Sequence, residues 1–166
     1  MHDLKITAPK DDPIIVMTRT FDAPRALVWK AISEPEHAVR WWGPHDHSNK
    51  VLKWDWRVGG EWSIESTMPD GSRIVFFGEY REIEKPVKVT QTFSFDQLPP
   101  GAHSVDTVEL IEKDGKTIYR SISRVPDFES RDGMLASGME VGVVEGFERL
   151  DAMLEEFKRA PVVRSA

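Results

Sequence analysis

Apolar residues recur along the last long stretch of the chain, roughly Asp127 to Lys158, at steps of three and four. This spacing is typical of one face of a helix, because an α-helix has about 3.6 residues per turn. Either Asp127 or Ser130 can cap the first turn by accepting a backbone N–H. The pattern predicts one long C-terminal helix with an apolar face that the rest of the chain must cover. That face consists of Leu135, Met139, Val143, Phe147, Leu150, Leu154 and Phe157.

A row of glycines, Gly138, Gly142 and Gly146, follows the same stretch at intervals of four. A glycine inside a helix costs about 1 kcal/mol relative to alanine, so the row needs an explanation. One interpretation is that the glycines allow another strand or helix to pack closely against this face. The other is that they form a groove that leaves room for a ligand above the helix.

Before the helix, apolar and polar residues alternate in short blocks, as expected for half-buried strands. The first predicted strand, Ile14 to Phe21, is followed by the start signals of two short helices near residues 22–24 and 33–35. Turn residues such as Pro69-Asp70-Gly71 join the later strands as hairpins, so their pairing is antiparallel. Strands followed by one long helix indicate an α+β domain. The later strands are predicted at residues 50–56, 61–68, 73–84, 87–95, 105–112 and 116–125, the last with an ambiguous phase.

The composition limits the classes of function. The length of 166 residues fits a single domain, residues 1–166, with a flexible arm over 1–13 and a C-terminal tail over 159–166. The net charge of −6 argues against a sequence-independent nucleic-acid binder, which needs a basic face. The chain has no cysteine, which excludes disulfides and thiol catalysis. The polar N-terminus resembles neither a signal peptide nor a membrane span, so a cytoplasmic protein is expected.

Few residue patterns point to catalysis or metal binding. His45 and His47 lie two apart, a spacing that converges on a metal only in a strand, and no third ligand is evident. Glu61 and Glu65 share one strand face, but their alternation with Trp62 indicates that they face water. The chain lacks a nucleophile elbow, a phosphate-binding glycine loop and a metal-binding helix motif. We therefore predict no catalytic residue, no metal and no cofactor.

Several short motifs occur in a fixed order along the chain. They are Phe21-Asp22-Ala23-Pro24, Pro35-Glu36-His37, Arg40-Trp41-Trp42-Gly43-Pro44, Asp55-x-Arg57-x-Gly59-Gly60-x-Trp62, Gly78-x-Tyr80-x-Glu82-Ile83 and Ala136-Ser137-Gly138-Met139-Glu140-x-Gly142. Together they resemble bacterial proteins similar to the C-terminal domain of the activator of the ninety-kilodalton heat-shock protein's ATPase. These belong to the START-like, or helix-grip, superfamily, which includes the birch-pollen allergen, lipid-transfer domains and polyketide cyclases. The resemblance covers about Ile14 to Leu154 and departs from the family at Gly133, Gly142 and Gly146, where better helix formers are more usual.

The resemblance implies a helix-grip fold, in which a curved seven-stranded antiparallel sheet surrounds a long C-terminal helix, with two short helices after strand 1. It also implies a mostly apolar cavity between sheet and helix, which some of the residues predicted to point inward would line. Tyr80 and Gln91 would be its polar anchors. The alternative is that these side chains fill a solid core. The candidate ligand-binding residues are Trp42, Trp62, Phe76, Tyr80, Gln91, Phe93, Met139, Val143 and Phe147.

Members of the superfamily perform several functions with the same fold, so the resemblance does not select one function. We favour the non-catalytic binding of a small apolar or amphipathic molecule in the cavity. The first alternative is a co-chaperone-like interaction domain with a chaperone partner, and the second is a cyclase- or dehydratase-type enzyme that uses Tyr80 or a cavity carboxylate. A homodimer is a further hypothesis, in which exposed Trp54 or Trp56 would form the interface.

Overall fold

The computed structural model describes residues 4–159. Within these residues one antiparallel sheet has the strand order β1-β2-β8-β7-β6-β5-β4-β3. The strands are β1 (Lys5–Thr7), β2 (Ile14–Phe21), β3 (Ser48–Trp54), β4 (Glu61–Thr67), β5 (Arg73–Glu84), β6 (Lys88–Phe95), β7 (Ser104–Lys113) and β8 (Lys116–Arg124). The helices are α1 (Arg25–Ser33), α2 (Pro35–Trp41), α3 (Phe128–Ala136) and α4 (Met139–Arg159). This arrangement confirms the predicted α+β helix-grip fold.

The sheet contains eight strands rather than the predicted seven. The additional strand is β1, in which Lys5 lies opposite Thr18 and Thr7 lies opposite Val16 of β2. Part of the stretch predicted to be a flexible arm is therefore a strand. Residues 1–3 of that arm and residues 160–166 of the predicted tail lie outside the described residues.

The ambiguous phase of the last strand is settled by its partners. Tyr119 of β8 lies opposite Arg19 of β2 and Leu110 of β7, and all three are buried. Side chains alternate between the two faces of a strand. Ser121 and Ser123 therefore share the concave, helix-facing side with Tyr119.

The predicted single C-terminal helix is wrong, because two helices occupy that stretch. Asp127 caps α3 by accepting a hydrogen bond from the Ser130 backbone N–H at 2.7 Å, which decides between the two predicted caps. Gly138 then has φ +83°, a left-handed conformation that interrupts a right-handed helix. The apolar spacing continues through this break, which is why the pattern alone predicted a continuous helix.

The second half of α4 closes the core over β2 and β8. Phe147 lies edge-on to Phe21, with ring centroids 5.3 Å apart, and to Tyr119 at 5.2 Å. Arg19 is buried beneath them, where it pairs with Asp151 and lies 4.5 Å from the centroid of the Phe21 ring. A buried cation is costly unless it is paired, so this contact both satisfies Arg19 and holds α4 on the sheet.

Trp54 and Trp56 are half-buried and pack against the core. Their rings are stacked at 6.2 Å, and Trp56 lies 4.8 Å from the ring of Tyr80. Trp54 Nε1 also donates a hydrogen bond to the Ser33 carbonyl at 3.0 Å. The expectation that these two side chains are exposed is therefore wrong, whereas the homodimer itself stays a prediction.

The glycine row packs against the segment that follows α2. A Cβ on Gly146 would lie 2.8 Å from the Trp41 carbonyl oxygen, and one on Gly142 would lie 3.7 Å from Pro44 Cδ. Gly138 lies in the break between the helices. The structure supports close packing, and the interpretation of the row as a ligand groove is wrong.

Among residues 4–159, none of the helices is both long enough and apolar enough to cross a bilayer.

Candidate functional site

A row of polar side chains crosses the concave face of the sheet. Gln91 of β6 lies opposite Asp106 of β7, and Asp106 lies opposite Ser123 of β8. Directly paired residues of antiparallel strands point to the same face. Since Ser123 shares its face with Tyr119, this polar row is directed toward the helices.

Asp106 is the centre of the polar row. Ser104 Oγ donates a hydrogen bond to Asp106 Oδ1 at 2.8 Å, and Ser123 donates another to the carboxylate. Both serines are buried, whereas Asp106 and Gln91 are half-buried. Asp106 as a whole residue is thus only partly enclosed by protein.

The charge of Asp106 has no counter-charge in the described part of the chain. No lysine, arginine or histidine of residues 4–159 forms an ion pair with it. Burial disfavours the ionised form and raises the pKa of Asp106 to about 6, partly opposed by the hydrogen bonds from Ser104 and Ser123. Burial, with the neighbouring Asp106 charge, also raises the pKa of Tyr119. The row therefore contains a carboxyl that changes charge near neutral pH.

Sequence reasoning did not identify Asp106. The available signal was its position in the alternation of β7, where it shares a phase with Val108 and buried Leu110. A carboxylate in an apolar phase is unusual, because charged side chains are rarely buried without a partner. Gln91 was predicted to be a polar anchor of the site. Only the strand register, which places Asp106 opposite Gln91, shows that the two residues lie side by side.

Trp42, Trp62, Phe76 and Phe93 form one aromatic cluster beside the polar row. The ring of Trp42 lies 5.6 Å from Trp62, 5.7 Å from Phe76 and 6.3 Å from Phe93, measured between centroids. At these separations the rings contact one another, so the cluster is a packed wall. Phe93 lies opposite Ser104, which places this wall directly next to Asp106.

The backbone at Trp42 is held by polar contacts from two sides. Asn49 Nδ2 donates to the Trp42 carbonyl at 2.7 Å, and Ser66 Oγ donates to Asn49 Oδ1 at 2.6 Å. On the other side, Arg149 Nη1 of α4 donates to the Pro44 carbonyl at 3.2 Å. These contacts fix the ring of Trp42 over the sheet, a supporting role of Asn49 that the sequence did not reveal.

The other predicted lining residues are divided between the core and the polar row. Tyr80 is buried against Trp54 and Trp56, and this burial raises the pKa of its hydroxyl. Phe147 is buried in the neighbouring cluster with Tyr119. These two residues therefore fill the core, as the alternative interpretation held. Gln91, between Tyr80 and Asp106 in the register, joins the polar row.

Met139 and Val143 occupy the start of α4, and both are half-buried. They precede Phe147, which contacts Tyr119, by two turns and one turn. The preceding helix α3 is held against the connection between β1 and β2, where Arg131 donates hydrogen bonds to the carbonyls of Pro9 and Asp12. Met139 and Val143 therefore lie between α3 and the buried part of α4.

Trp62 has an unusual polar environment. Its Nε1 atom is buried and has no hydrogen-bond partner among residues 4–159. A Cβ on Gly78 would lie 2.7 Å from this atom and 1.9 Å from the Thr92 carbonyl oxygen. Position 78 must therefore be glycine for Trp62 to lie against the sheet.

The histidine pair does not converge on a common point. His45 Nε2 lies 3.6 Å from Glu148 Oε1, whereas His47 Nε2 lies 3.6 Å from Asp46 Oδ1. Elsewhere, Glu34, Glu36 and His37 bring one potential ligand atom each within 4.8 Å of one another. They lie at the N-terminal end of α2, whose partial positive charge stabilises carboxylates without a cation.

Glu61 and Glu65 lie on the convex side of the sheet, as their alternation predicted. Glu61 is exposed and contacts Lys53 Nζ at 2.5 Å, while Glu65 Oε1 lies 4.0 Å from Arg73 Nη1. These contacts with basic side chains explain the two carboxylates without a role in proton transfer.

A pocket of about 450 Å³ lies on the convex face, away from the polar row. It is formed between β5, β6 and the loop that follows β6, with contributions from Phe77, Phe95 and Leu98. None of the predicted ligand-binding residues lines it.

Comparison with protein families gives one match. The family model described as Activator of Hsp90 ATPase homolog 1-like protein matches residues 22–155. This range extends from the end of β2 to the last turns of α4, so it includes the aromatic cluster and the polar row. Among curated proteins, no match was found.

Solved structures with a similar fold come from several bacteria. A protein from Arthrobacter aurescens is 26% identical with a TM-score of 0.84, and the alignment covers 98% of this chain and 97% of that chain. A protein from Rhodobacter sphaeroides is 21% identical with a TM-score of 0.83, covering 93% and 99% of the two chains. A protein from Mycobacterium smegmatis is 23% identical with a TM-score of 0.82, covering 90% and 95%. These similarities establish the fold.

Proposed function

The chain belongs to the Activator of Hsp90 ATPase homolog 1-like family, and on this premise we propose that it binds a small amphipathic molecule between the concave face of the sheet and the first turns of α4. The observation that carries the proposal is the polar row, in which half-buried Gln91 and Asp106 lie opposite each other beside the aromatic cluster. START-like folds commonly bind hydrophobic ligands, which supports the proposal of a binding site between the sheet and the helix.

The aromatic cluster and the polar row divide the tasks of a binding site. Small-molecule sites are mostly apolar, with a few polar groups that orient the ligand. The wall of Trp42, Phe76 and Phe93 supplies apolar surface that is already packed and therefore rigid. Gln91 and Asp106 supply the polar groups at its edge.

The cover over this region is incomplete. Met139 and Val143 are half-buried, although they continue the face of α4 that is buried from Phe147 onward. Leu135, which precedes them in the same apolar spacing, is 38% exposed. An apolar molecule in this region would remove such surface from water, which is favourable by about 25 cal/mol per Å².

The proposal can be tested by placing a large side chain in the site. Native mass spectrometry of the protein as purified from cells, followed by denaturing extraction, would detect a retained small molecule. Thermal shift with eight-carbon apolar probes would detect binding, since a ligand at 100 times its Kd adds about 2.7 kcal/mol. We expect Val143→Trp to abolish probe binding.

A matched control is Val141→Trp on the exposed side of the same helix. This variant is expected to bind the probes as the wild type does. Absence of both a retained molecule and any thermal shift in the wild type would contradict the proposal. Equal probe binding by the Val143→Trp variant would contradict it as well.

The second candidate function is proton transfer in a cyclase- or dehydratase-type enzyme. Asp106 favours it, because a general base works best when its pKa lies near the working pH, and burial raises the pKa of Asp106 to about 6. NMR can follow solvent deuterium exchange at the α-carbons of 2-octanone as a simple carbon acid. The exchange should be accelerated by the wild type and lost in Asp106→Asn, and no acceleration by the wild type would remove this candidate.

A further inference from the structure

We propose that the site selects an amphipathic amine, in which an apolar body lies along the aromatic cluster and a protonated amine pairs with the Asp106 carboxylate. This inference rests on the proposed function and names the class of ligand for the same site. It starts from the charge that the polar row leaves without a partner.

The other ionisable groups on the concave face do not neutralise Asp106. Arg19 is paired with Asp151 of α4. Tyr119 is neutral at physiological pH, because its burial beside Asp106 raises the pKa of the phenol. A buried carboxylate that lacks a cation is costly, whereas an ammonium group placed beside it offsets that cost.

Asp106 also retains hydrogen-bonding capacity. An ionised carboxylate can accept about four hydrogen bonds, and the hydroxyls of Ser104 and Ser123 each donate one. Asp106 is half-buried as a residue, so part of its surface is exposed. Gln91, directly opposite on β6, has an amide oxygen that can accept a further N–H from the same ammonium.

The surroundings of the carboxylate also favour a cation. Phe93 lies opposite Ser104, the donor to Asp106, so an aromatic ring adjoins the polar row. Aromatic faces attract cations within about 6 Å. The net charge of −6 raises the local concentration of cations and repels anionic amphiphiles such as fatty acids. We therefore expect the affinity to fall in the order amine, alcohol, carboxylate for one apolar chain.

Three probes with the same chain and different head groups test this order: octylamine, 1-octanol and octanoate. Their affinities for the full chain can be measured at pH 7.5 by calorimetry or by quenching of tryptophan fluorescence. We expect octylamine to bind at least tenfold more tightly than 1-octanol, and octanoate to bind most weakly. In Asp106→Asn, octylamine should lose at least tenfold in affinity, whereas 1-octanol should lose much less.

The matched control is Asp96→Asn, which removes an exposed carboxylate at the rim of the convex pocket. It alters the net charge by the same amount and should leave octylamine binding unchanged. Retained 1-octanol binding by Asp106→Asn shows that the site is still folded.

Lowering the pH from 7.5 to 5 should weaken octylamine binding to the wild type, because Asp106, whose pKa is raised to about 6, becomes neutral. The Arg19–Asp151 pair and Tyr119 also face this region, and His45 and His47 lie in the loop after α2. The Asp106→Asn variant retains all of these groups. We expect its octylamine affinity to be independent of pH over this range, which would assign the pH dependence of the wild type to Asp106 rather than to the retained groups.

The outcomes separate the inference from the proposed function. Equal binding of the three probes, or octylamine binding that Asp106→Asn leaves unchanged, overturns the amine inference while the binding function stands. If no probe binds and Val143→Trp changes nothing, the binding function fails and the inference with it.

Discussion

The two ends of the C-terminal helical segment have the same apolar spacing but very different surroundings. In the second half of α4, Leu150 is fully buried and Leu154 is 2% exposed. In the first half of the segment, Leu135 is 38% exposed, and Met139 and Val143 are half-buried. The helical spacing of apolar residues is therefore the same at both ends, whereas only the residues of the second half are buried by the rest of the protein.

The difference follows from what lies opposite each end. From Phe147 onward, α4 meets aromatic rings of the sheet, and the buried Arg19–Asp151 pair holds it there. Before Phe147, the side chains of the same face are only half-buried. This is the end at which we propose that a ligand binds, whereas the other end maintains the fold.

Truncation of one leucine at each end should show the largest contrast. Leu150→Ala should lower the free energy of unfolding by about 3–4 kcal/mol, because it removes a fully buried side chain and leaves a cavity. Leu135→Ala should cost less than about 1 kcal/mol, since its side chain is already partly in water. Urea unfolding measures both, and equal losses would contradict the comparison.

Replacement of the unpaired carboxylate should stabilise the protein. The pKa of Asp106 is raised to about 6 in the folded protein, against about 3.9 for an unfolded chain. The ionised form is therefore unfavourable in the folded state, and the resulting loss of stability develops as the pH rises through this window. At pH 7.5, Asp106→Asn should gain on the order of 1–3 kcal/mol in the free energy of unfolding.

The gain from Asp106→Asn should disappear below about pH 3, where the wild-type carboxyl is protonated in both states. Thermal unfolding at several pH values checks this dependence. The exposed Asp96→Asn change should show no comparable gain. Stabilisation of Asp106→Asn that persists unchanged at low pH would mean that charge burial is not its cause.

The glycine row gives a smaller contrast. Gly146→Ala should destabilise by about 1–2 kcal/mol, because its Cβ would lie 2.8 Å from the Trp41 carbonyl oxygen and the backbone would have to shift. Gly142→Ala meets only Pro44 Cδ at 3.7 Å and should instead gain up to about 1 kcal/mol in helix propensity. Denaturant midpoints of the two variants should therefore move in opposite directions.

The smallest expected effect is at Gly133 in α3. A Cβ at this position meets nothing within 4 Å, so Gly133→Ala should stabilise by about 0.5–1 kcal/mol through helix propensity alone. The variant should leave octylamine affinity unchanged, because the substitution touches no part of the polar row. A decrease in stability would indicate that α3 needs its glycine for a reason other than space.

Local patterns in the sequence determined most of the elements. The alternation over residues 73–84 and the turn signals around it predicted β5 with the bounds that the structure has. The apolar residues on the buried face of α4 from Phe147 onward were also predicted correctly, because the period of a helix is a property of consecutive residues. The motifs in their order then predicted the family and the helix-grip fold.

Tertiary structure alone decided the environment of those residues. Trp54 and Trp56 alternate like surface residues, yet in the folded protein both rings pack edge-on against Tyr80. Gln91, Asp106 and Ser123 lie on three different strands, and only the register between those strands places them side by side. Whether a side chain is paired, buried or accessible depends on neighbours that are distant in sequence, which is why Asp106 looked like an ordinary strand residue until the sheet was assembled.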